Sequence, residues 1–150
     1  MTEPKRLDAA DIAAHAKLVD IATLRLSAEL ADHSTGSAEA PTVAVTPMFQ
    51  LQVVQPNDRA SFQLRFRILL TLKQGDLDIT VAALYDVPGA DPTALVPMAI
   101  VEFANQDGLA TLMPFIRQEV LDLSTRVLRT RVLLPAFRPG NLTFSTTPTR

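Results

Sequence analysis

The chain has 150 residues, 47% of them apolar and 20% charged, which suits a folded protein with a real core and excludes a disordered one. A formal net charge of −2 leaves no basic stripe to neutralise phosphates, which argues against nucleic acid. Cysteine is absent, excluding a disulfide framework and thiolate metal sites, and no apolar run approaches the roughly 20 residues that cross a bilayer.

From the front, Asp8 to Lys17 is Ala-rich with Asp8 and Asp11 leading it, and predicts a short helix with acids at its positive end. Val19, Ile21 and Thr23 are β-branched, and Leu24, Leu26, Ala28 and Leu30 alternate with Arg25, Ser27 and Glu29. A long strand follows, its alternation changing phase between Ile21 and Leu24 as a β-bulge requires. His33 to Pro41 reads as a loop. Thr42 to Val54 predicts a second strand, with Phe49, Leu51 and Val53 on one side; Pro47 confines it to an edge or breaks it.

After the turn at Gln55–Arg59, Phe62, Leu64, Phe66, Ile68, Leu70 and Leu72 share one face of a third strand. A hairpin at Lys73-Gln74-Gly75-Asp76 leads to Leu77, Ile79 and Val81 on a fourth. Pro92 to Phe103 predicts a shorter helix or an irregular crossover, with Pro97 arguing against one long helix there. Leu109, Leu112, Met113, Ile116, Val120, Leu123 and Val127 then form a complete helical stripe, with Pro114 tolerable near the helix start or as a kink. From Leu133 the chain is Pro-punctuated and extended, and Thr143 to Arg150 reads as a frayed tail. The fold class is α+β: a four-stranded antiparallel sheet packed against a long C-terminal helix, with a short N-terminal helix. One domain over 1–150 is expected, its ends flexible at 1–7 and 145–150. The polar N-terminus does not read as a secretory signal, so the cytoplasm is the expected compartment.

Residues that carry chemistry are sparse. His15 and His33 are the two histidines and have no paired ligand spacing, so no metal site is expected. The five glycines are scattered singly, giving no phosphate loop and no cofactor site. Asp76 and Asp78 share a strand face beside a hairpin, where a solvated surface is the simpler reading. No catalytic constellation emerges and no enzyme is expected. What remains is apolar surface: Met48, Phe49, Met98, Phe103, Phe115 and Phe137 stand in irregular or segment-end positions, and either close the core or line a groove.

Leu112-Met113-Pro114-Phe115-Ile116-Arg117-Gln118-Glu119, continuing through Leu123-Ser124-Thr125-Arg126, resembles the long helix of the SecB family of export chaperones. That family has an aromatic-Pro-aromatic-x-Arg-Glu-like sequence here, then an apolar helix ending near Ser-Arg or Gly-Arg. Leu134-Pro135-Ala136-Phe137 and Leu142-Thr143-Phe144 are similar to its aromatic-Pro-x-Leu segment and following Asn/x-Phe, and Val19-Asp20-Ile21 to its first-strand Lys/Arg-Asp-Ile. The resemblance runs from Leu18 to Phe144.

It implies a homotetramer, a dimer of dimers, acting without ATP as a holdase for unfolded or nascent polypeptides. By this analogy Phe49, Leu51, Phe103, Met113, Phe115, Leu134 and Phe137 are candidate groove walls. Asp20 and Asp78 are the candidate remnant of the carboxylates by which export members engage the SecA motor, the fourth-strand acid of the family falling near Asp78 or Thr80. The acid expected a few residues after Asp20 is missing from Thr23-Leu24-Arg25, and the tail beyond Phe144 has no acids, which argues against SecA coupling. The N-terminal helix and near-neutral charge resemble SecB-like proteins of toxin–antitoxin systems, which protect an aggregation-prone antitoxin. Export, general and antitoxin-protecting roles all stay open on these residues. A small-molecule carrier or a non-catalytic adaptor using the same apolar surface is the alternative.

Overall fold

The computed structural model describes residues 4–31, 48–134 and 144. Asp8 and Asp11 do more at the start of helix α1 (Ala9–His15) than favour its dipole. Asp8 Oδ1 accepts the Asp11 N–H at 2.7 Å and Asp11 Oδ2 accepts the Asp8 N–H at 3.2 Å, a reciprocal capping box that satisfies two free amides. Ile12 is fully buried, and the Leu7 N–H donates to the Ala94 carbonyl at 3.0 Å, so the segment is seated on the connection before the long helix.

Four strands follow: β1 (Lys17–Leu30), β2 (Met48–Val54), β3 (Ser61–Leu72) and β4 (Gly75–Asp86), all antiparallel, in the order β1-β4-β3-β2. The alternation in β3 translates directly into burial, with Phe62, Leu64, Phe66, Ile68 and Leu70 all at 2% exposure or less. Leu77, Ile79, Val81 and Ala83 do the same from β4, and Tyr85 is buried beside them at 5%. In β1 the register with β4 slips at Leu18/Asp20 and again at Thr23/Arg25. The second slip is the phase change visible in the sequence; the first, at Val19, carries no sequence signal. The two-residue turn Lys73-Gln74 joins β3 to β4.

The sheet's apolar face is covered by one long helix. Asp91 caps a 3-10 turn (Pro92–Ala94), its Oδ1 accepting the Thr93 N–H at 2.8 Å and the Thr93 hydroxyl at 2.6 Å. The helix then begins at Pro97 and continues to Leu128 as α2 (Pro97–Phe103), a wide π turn (Ala104–Gly108), α3 (Leu109–Leu123) and a second π turn (Ser124–Leu128). No helix runs through Pro97, as expected, but the expectation of a separate shorter helix over Pro92–Phe103 needs correcting, because Pro97–Phe103 is the start of the long one. At the first helical position a proline lacks only an N–H that has no intrahelical partner anyway, so Pro97 starts the helix. Pro114 sits inside α3, and both it and Ala110, whose carbonyl it leaves unpartnered, face solvent. The buried stripe is the predicted one as far as Leu123. Beyond it the π turn advances the phase, so Leu128 is buried and Val127 only half-buried.

The helix stops at Arg129, which adopts the left-handed conformation at φ 53° and ψ 30°, its N–H donating to the Ser124 carbonyl. Buried Ser124 completes the stop, its hydroxyl accepting the Val132 N–H at 3.2 Å. A side chain in this conformation costs roughly 1–2 kcal/mol, whereas glycine adopts it freely. Arg129→Gly is therefore expected to raise unfolding stability by about 1 kcal/mol in a urea melt; a lower midpoint would mean that the arginine makes a compensating contact. The expected strand over Thr42–Pro47, the run after Leu134 and the frayed tail lie outside the described residues, Phe144 excepted.

Candidate functional site

An α-helix with its side chains is about 10 Å wide and strands lie about 4.8 Å apart, so one helix covers about two strands. Here α3 packs on β4, and β3 and β4 supply the buried sheet face, which leaves both outer strands beyond its shadow. Leu18, Ile21, Leu26 and Ala28 of β1 pair with Tyr85, Ala83, Ile79 and Leu77, so they lie on the helix side of the sheet. Leu18, Leu26 and Leu30 are nonetheless 44–46% exposed, and Val19 and Leu24, thrown out at the bulges, are 54% and 47% exposed.

The opposite flank is β2. Phe49, Leu51 and Val53 pair with Ile68, Phe66 and Leu64, and form a half-buried strip along the same side of the sheet. The Phe49 ring lies 5.2 Å from that of Phe66 at a tilt of 34°, whereas Met48, 61% exposed, pairs with Leu69 and projects from the opposite face. Among the described residues no strand pairs with the outer edge of β2, so a row of backbone donors and acceptors runs beside this apolar strip.

The structure divides the groove candidates. Phe49 and Leu51 are together on β2. Phe103, Met113 and Leu134 are 4%, 6% and 4% exposed and belong to the core of the chain. Phe103 packs edge-on against Phe62 and Tyr85, with ring centroids at 5.7 and 5.2 Å. Burial in this cluster holds the Tyr85 phenol above its ordinary pKa, the Thr111 hydroxyl opposing the shift and the Asp107 charge adding to it. Phe115 is 49% exposed on the side of α3 away from the sheet, and Phe137 lies outside the described residues. The β1 row was missed as a surface because its alternation reads as a core face; only its place at the sheet edge exposes it.

The other face of the sheet is polar. Arg67 holds Asp78 with two bonds, Nε to Oδ1 at 2.8 Å and Nη2 to Oδ2 at 2.7 Å, while Arg25 Nε approaches Oδ2 at 3.2 Å. Asp78 is thus spent on a three-strand bridge, whereas Asp20 is exposed on β1 opposite Leu84. The Arg67 hydrogen bonds hold the Asp78 carboxyl below the usual carboxylate range, partial burial opposes them, and the charges of Arg67 and Arg25 add to the lowering. The folded value lies below the unfolded one of about 3.9, so the bridge supports the fold above that pH. The support is lost as pH falls through the folded value. An NMR acid titration is expected to place Asp78 below an ordinary aspartate, and Arg67→Gln to move it back up. A midpoint indifferent to Arg67→Gln would show that the bridge does not form in solution.

Three clefts of 300, 340 and 410 Å³ lie around Gln55–Ala60 and Asp86–Pro92. Among the described residues no group of three His, Cys, Asp or Glu could hold a metal ion, and no helix is long and apolar enough to cross a membrane.

Comparison with family models and with curated proteins gives no match. Among solved structures, the chain is similar to the Mycobacterium tuberculosis Rv1957 SecB-like chaperone, solved in complex with a ChAD peptide from the Rv1956 HigA1 antitoxin. The TM-score is 0.69 and the identity 25%, over 87% of this chain and 93% of that one. A protein of unknown function from Streptococcus agalactiae aligns at TM-score 0.48 and 8% identity, over 81% and 97% of the two chains, too distant to bear on function. The resemblance carried by the Pro114 helix motif and the architecture of a short helix, four antiparallel strands and a long helix thus point the same way, and the chain has a SecB-like fold.

Proposed function

We propose that this chain is an ATP-independent holdase of the cytoplasm that shields an aggregation-prone polypeptide, with an antitoxin-type client favoured over export clients. The observation that carries the reading is the β2 flank, where among the described residues an unpaired strand edge runs beside the apolar strip of Phe49, Leu51 and Val53. An extended segment adding to such an edge gains main-chain hydrogen bonds that are indifferent to sequence, and places alternate apolar side chains on the strip. The likeness to a SecB-like chaperone holding an antitoxin peptide supports a client of this kind. Asp78, engaged by two arginines, is a poor handle for a motor protein, which speaks against SecA.

A single apolar contact contributes only about 1–3 kcal/mol, so holding an unfolded chain needs several sites acting together. A homotetramer arranged as a dimer of dimers supplies them, and gives the exposed β1 row and Phe115 something to be buried against. The test is suppression of aggregation of an unfolded client and of an antitoxin in the absence of nucleotide, with size exclusion and light scattering on the same samples. Uptake by a four-subunit species is expected, and Phe49→Ser with Leu51→Ser is expected to weaken it at least about tenfold, or roughly 1.4 kcal/mol, with the far-ultraviolet circular dichroism unchanged. A monomer indifferent to every client would sink the reading and turn attention to a small ligand or one folded partner.

A further inference from the structure

On the polar side of the sheet, away from the long helix, the cleft of 300 Å³ gathers polar groups of both signs. Its floor is the end of the β3–β4 ladder, where Ser61 stands opposite Asp86 and Gln63 opposite Leu84. One wall comes from the loop after β2. The Ser61 N–H donates to the Arg59 carbonyl at 2.9 Å, a γ-turn that brings Arg59 to the rim. The Val87 N–H donates to the Ala60 carbonyl at 2.9 Å and holds that loop to the end of β4. The other wall is Val19, which the first bulge of β1 throws out of register. Bulges commonly re-aim a side chain beside a site in this way.

The polar groups are not spent on the protein. Among the described residues, Arg59 and Asp86 form no ion pair with each other or with any other side chain. The Gln63 amide uses its oxygen on Arg65 Nε at 2.7 Å and keeps its N–H groups free. Ser61 is only 3% exposed, yet among the described residues its hydroxyl has no hydrogen-bond partner. It is not sealed inside the protein either, so it opens on the cleft that it lines. A polar group so nearly buried is costly unless something in the cleft bonds it.

The donors of Arg59, Ser61 and Gln63 together suit a carboxylate, and Asp86 suits a cation close beside it. Side chains directly opposite in an antiparallel pair stand about 5 Å apart, so one small molecule reaches both Ser61 and Asp86. Val19, Val54 and Leu84 add an apolar wall, and 300 Å³ is at the small end of ligand sites. The neighbouring 410 Å³ cleft shares Arg59 and Asp86 but lacks Ser61 and Gln63.

We propose that this cleft is a site for a free α-amino acid with an aliphatic side chain. Arg59, Ser61 and Gln63 hold its carboxylate, Asp86 holds its ammonium, and the side chain lies against Val19, Val54 and Leu84. A polypeptide C-terminus offers the carboxylate without the ammonium and leaves Asp86 with no counter-charge. The site is on the face opposite the β2 strip and does not depend on the chaperone reading.

The experiment titrates L-leucine into the isotopically labelled full chain and follows the backbone amides by NMR. Saturable shifts are expected, largest at Ser61, Gln63, Leu84 and Asp86. N-acetylleucine and leucinamide each lack one charge and glycine lacks the side chain, so each is expected to bind at least about tenfold more weakly. Arg59→Gln and Asp86→Asn are each expected to weaken leucine to the same degree, with the rest of the amide spectrum unchanged. Arg59 is exposed on a loop, so Arg59→Gln carries the test should Asp86→Asn fail to fold. N-acetylleucine binding as tightly as leucine would overturn the amino-acid site in favour of one for a carboxylate or a chain terminus. No saturation by millimolar leucine, or saturation indifferent to Arg59→Gln, would show the cleft to be hydrated surface and nothing more.

Discussion

Gly75→Ala is expected to lower unfolding stability by about 3–5 kcal/mol, the sum of backbone strain and forced overpacking. Gly75 opens β4 between two neighbours, pairing with Leu72 of β3 and Leu30 of β1, at φ +153°. A Cβ there would lie 2.1 Å from the Glu29 carbonyl oxygen and 2.7 Å from Leu128 Cδ2. The leucine tip can swing aside; the oxygen belongs to the β1 backbone and can retreat only by peeling β1 from the sheet. Gly89 is the internal control. It also has positive φ, +76°, but nothing lies within 4 Å of its Cβ position, so Gly89→Ala is expected to cost only about 1 kcal/mol. Urea denaturation of both variants checks the contrast, and equal losses would mean that conformation alone, not the Glu29 oxygen, sets the cost at Gly75. A partial loss confined to β1 would show as early amide exchange in Lys17–Leu30 ahead of β3 and β4.

Phe103→Ala is expected to cost about 3–5 kcal/mol and Phe115→Ala less than about 0.5 kcal/mol, although the two are equally plausible groove residues by sequence. Phe103 is 4% exposed and closes an aromatic cluster with Phe62 and Tyr85, themselves stacked at 5.2 Å and 17°. Truncation leaves a cavity at the junction of the helix and two central strands, where neighbours cannot collapse without breaking the sheet register. Phe115 is 49% exposed and turned from the sheet, so its loss uncovers little within the chain. If the chain assembles as proposed, Phe115→Ala changes the oligomer distribution at low concentration instead of the protomer's stability. Equal stability losses at the two positions would show that Phe115 is also covered within the folded protomer.

Local chemistry was legible in the sequence wherever the deciding interactions are local. The pair of acids at Asp8 and Asp11 marked the start of α1, the alternation of β3 named its buried face, and the stripe from Leu109 to Leu123 named the helix face. Each depends on residues two to four apart, whose mutual geometry secondary structure sets by itself. The motif around Pro114 likewise carried the SecB-like resemblance that the architecture matches.

The candidate site was less legible, because it depends on strand order and on how far one helix reaches. Leu26 and Ile68 look alike in sequence, each an apolar residue alternating with an arginine, yet Ile68 is fully buried and Leu26 is 46% exposed. Alternation says which face a residue points from and not whether anything covers that face. Pairing β4 between β1 and β3 put β1 and β2 at the edges, and a helix about 10 Å wide covers only the middle of such a sheet. The same long-range pairing brought Asn105 to Phe144 and drew Phe103 inward. Thus the sequence by itself determined the elements and their apolar faces, which neighbours along the chain enforce. Only the tertiary structure decided which apolar faces were left uncovered, because burial is settled by residues that meet from far apart in the chain.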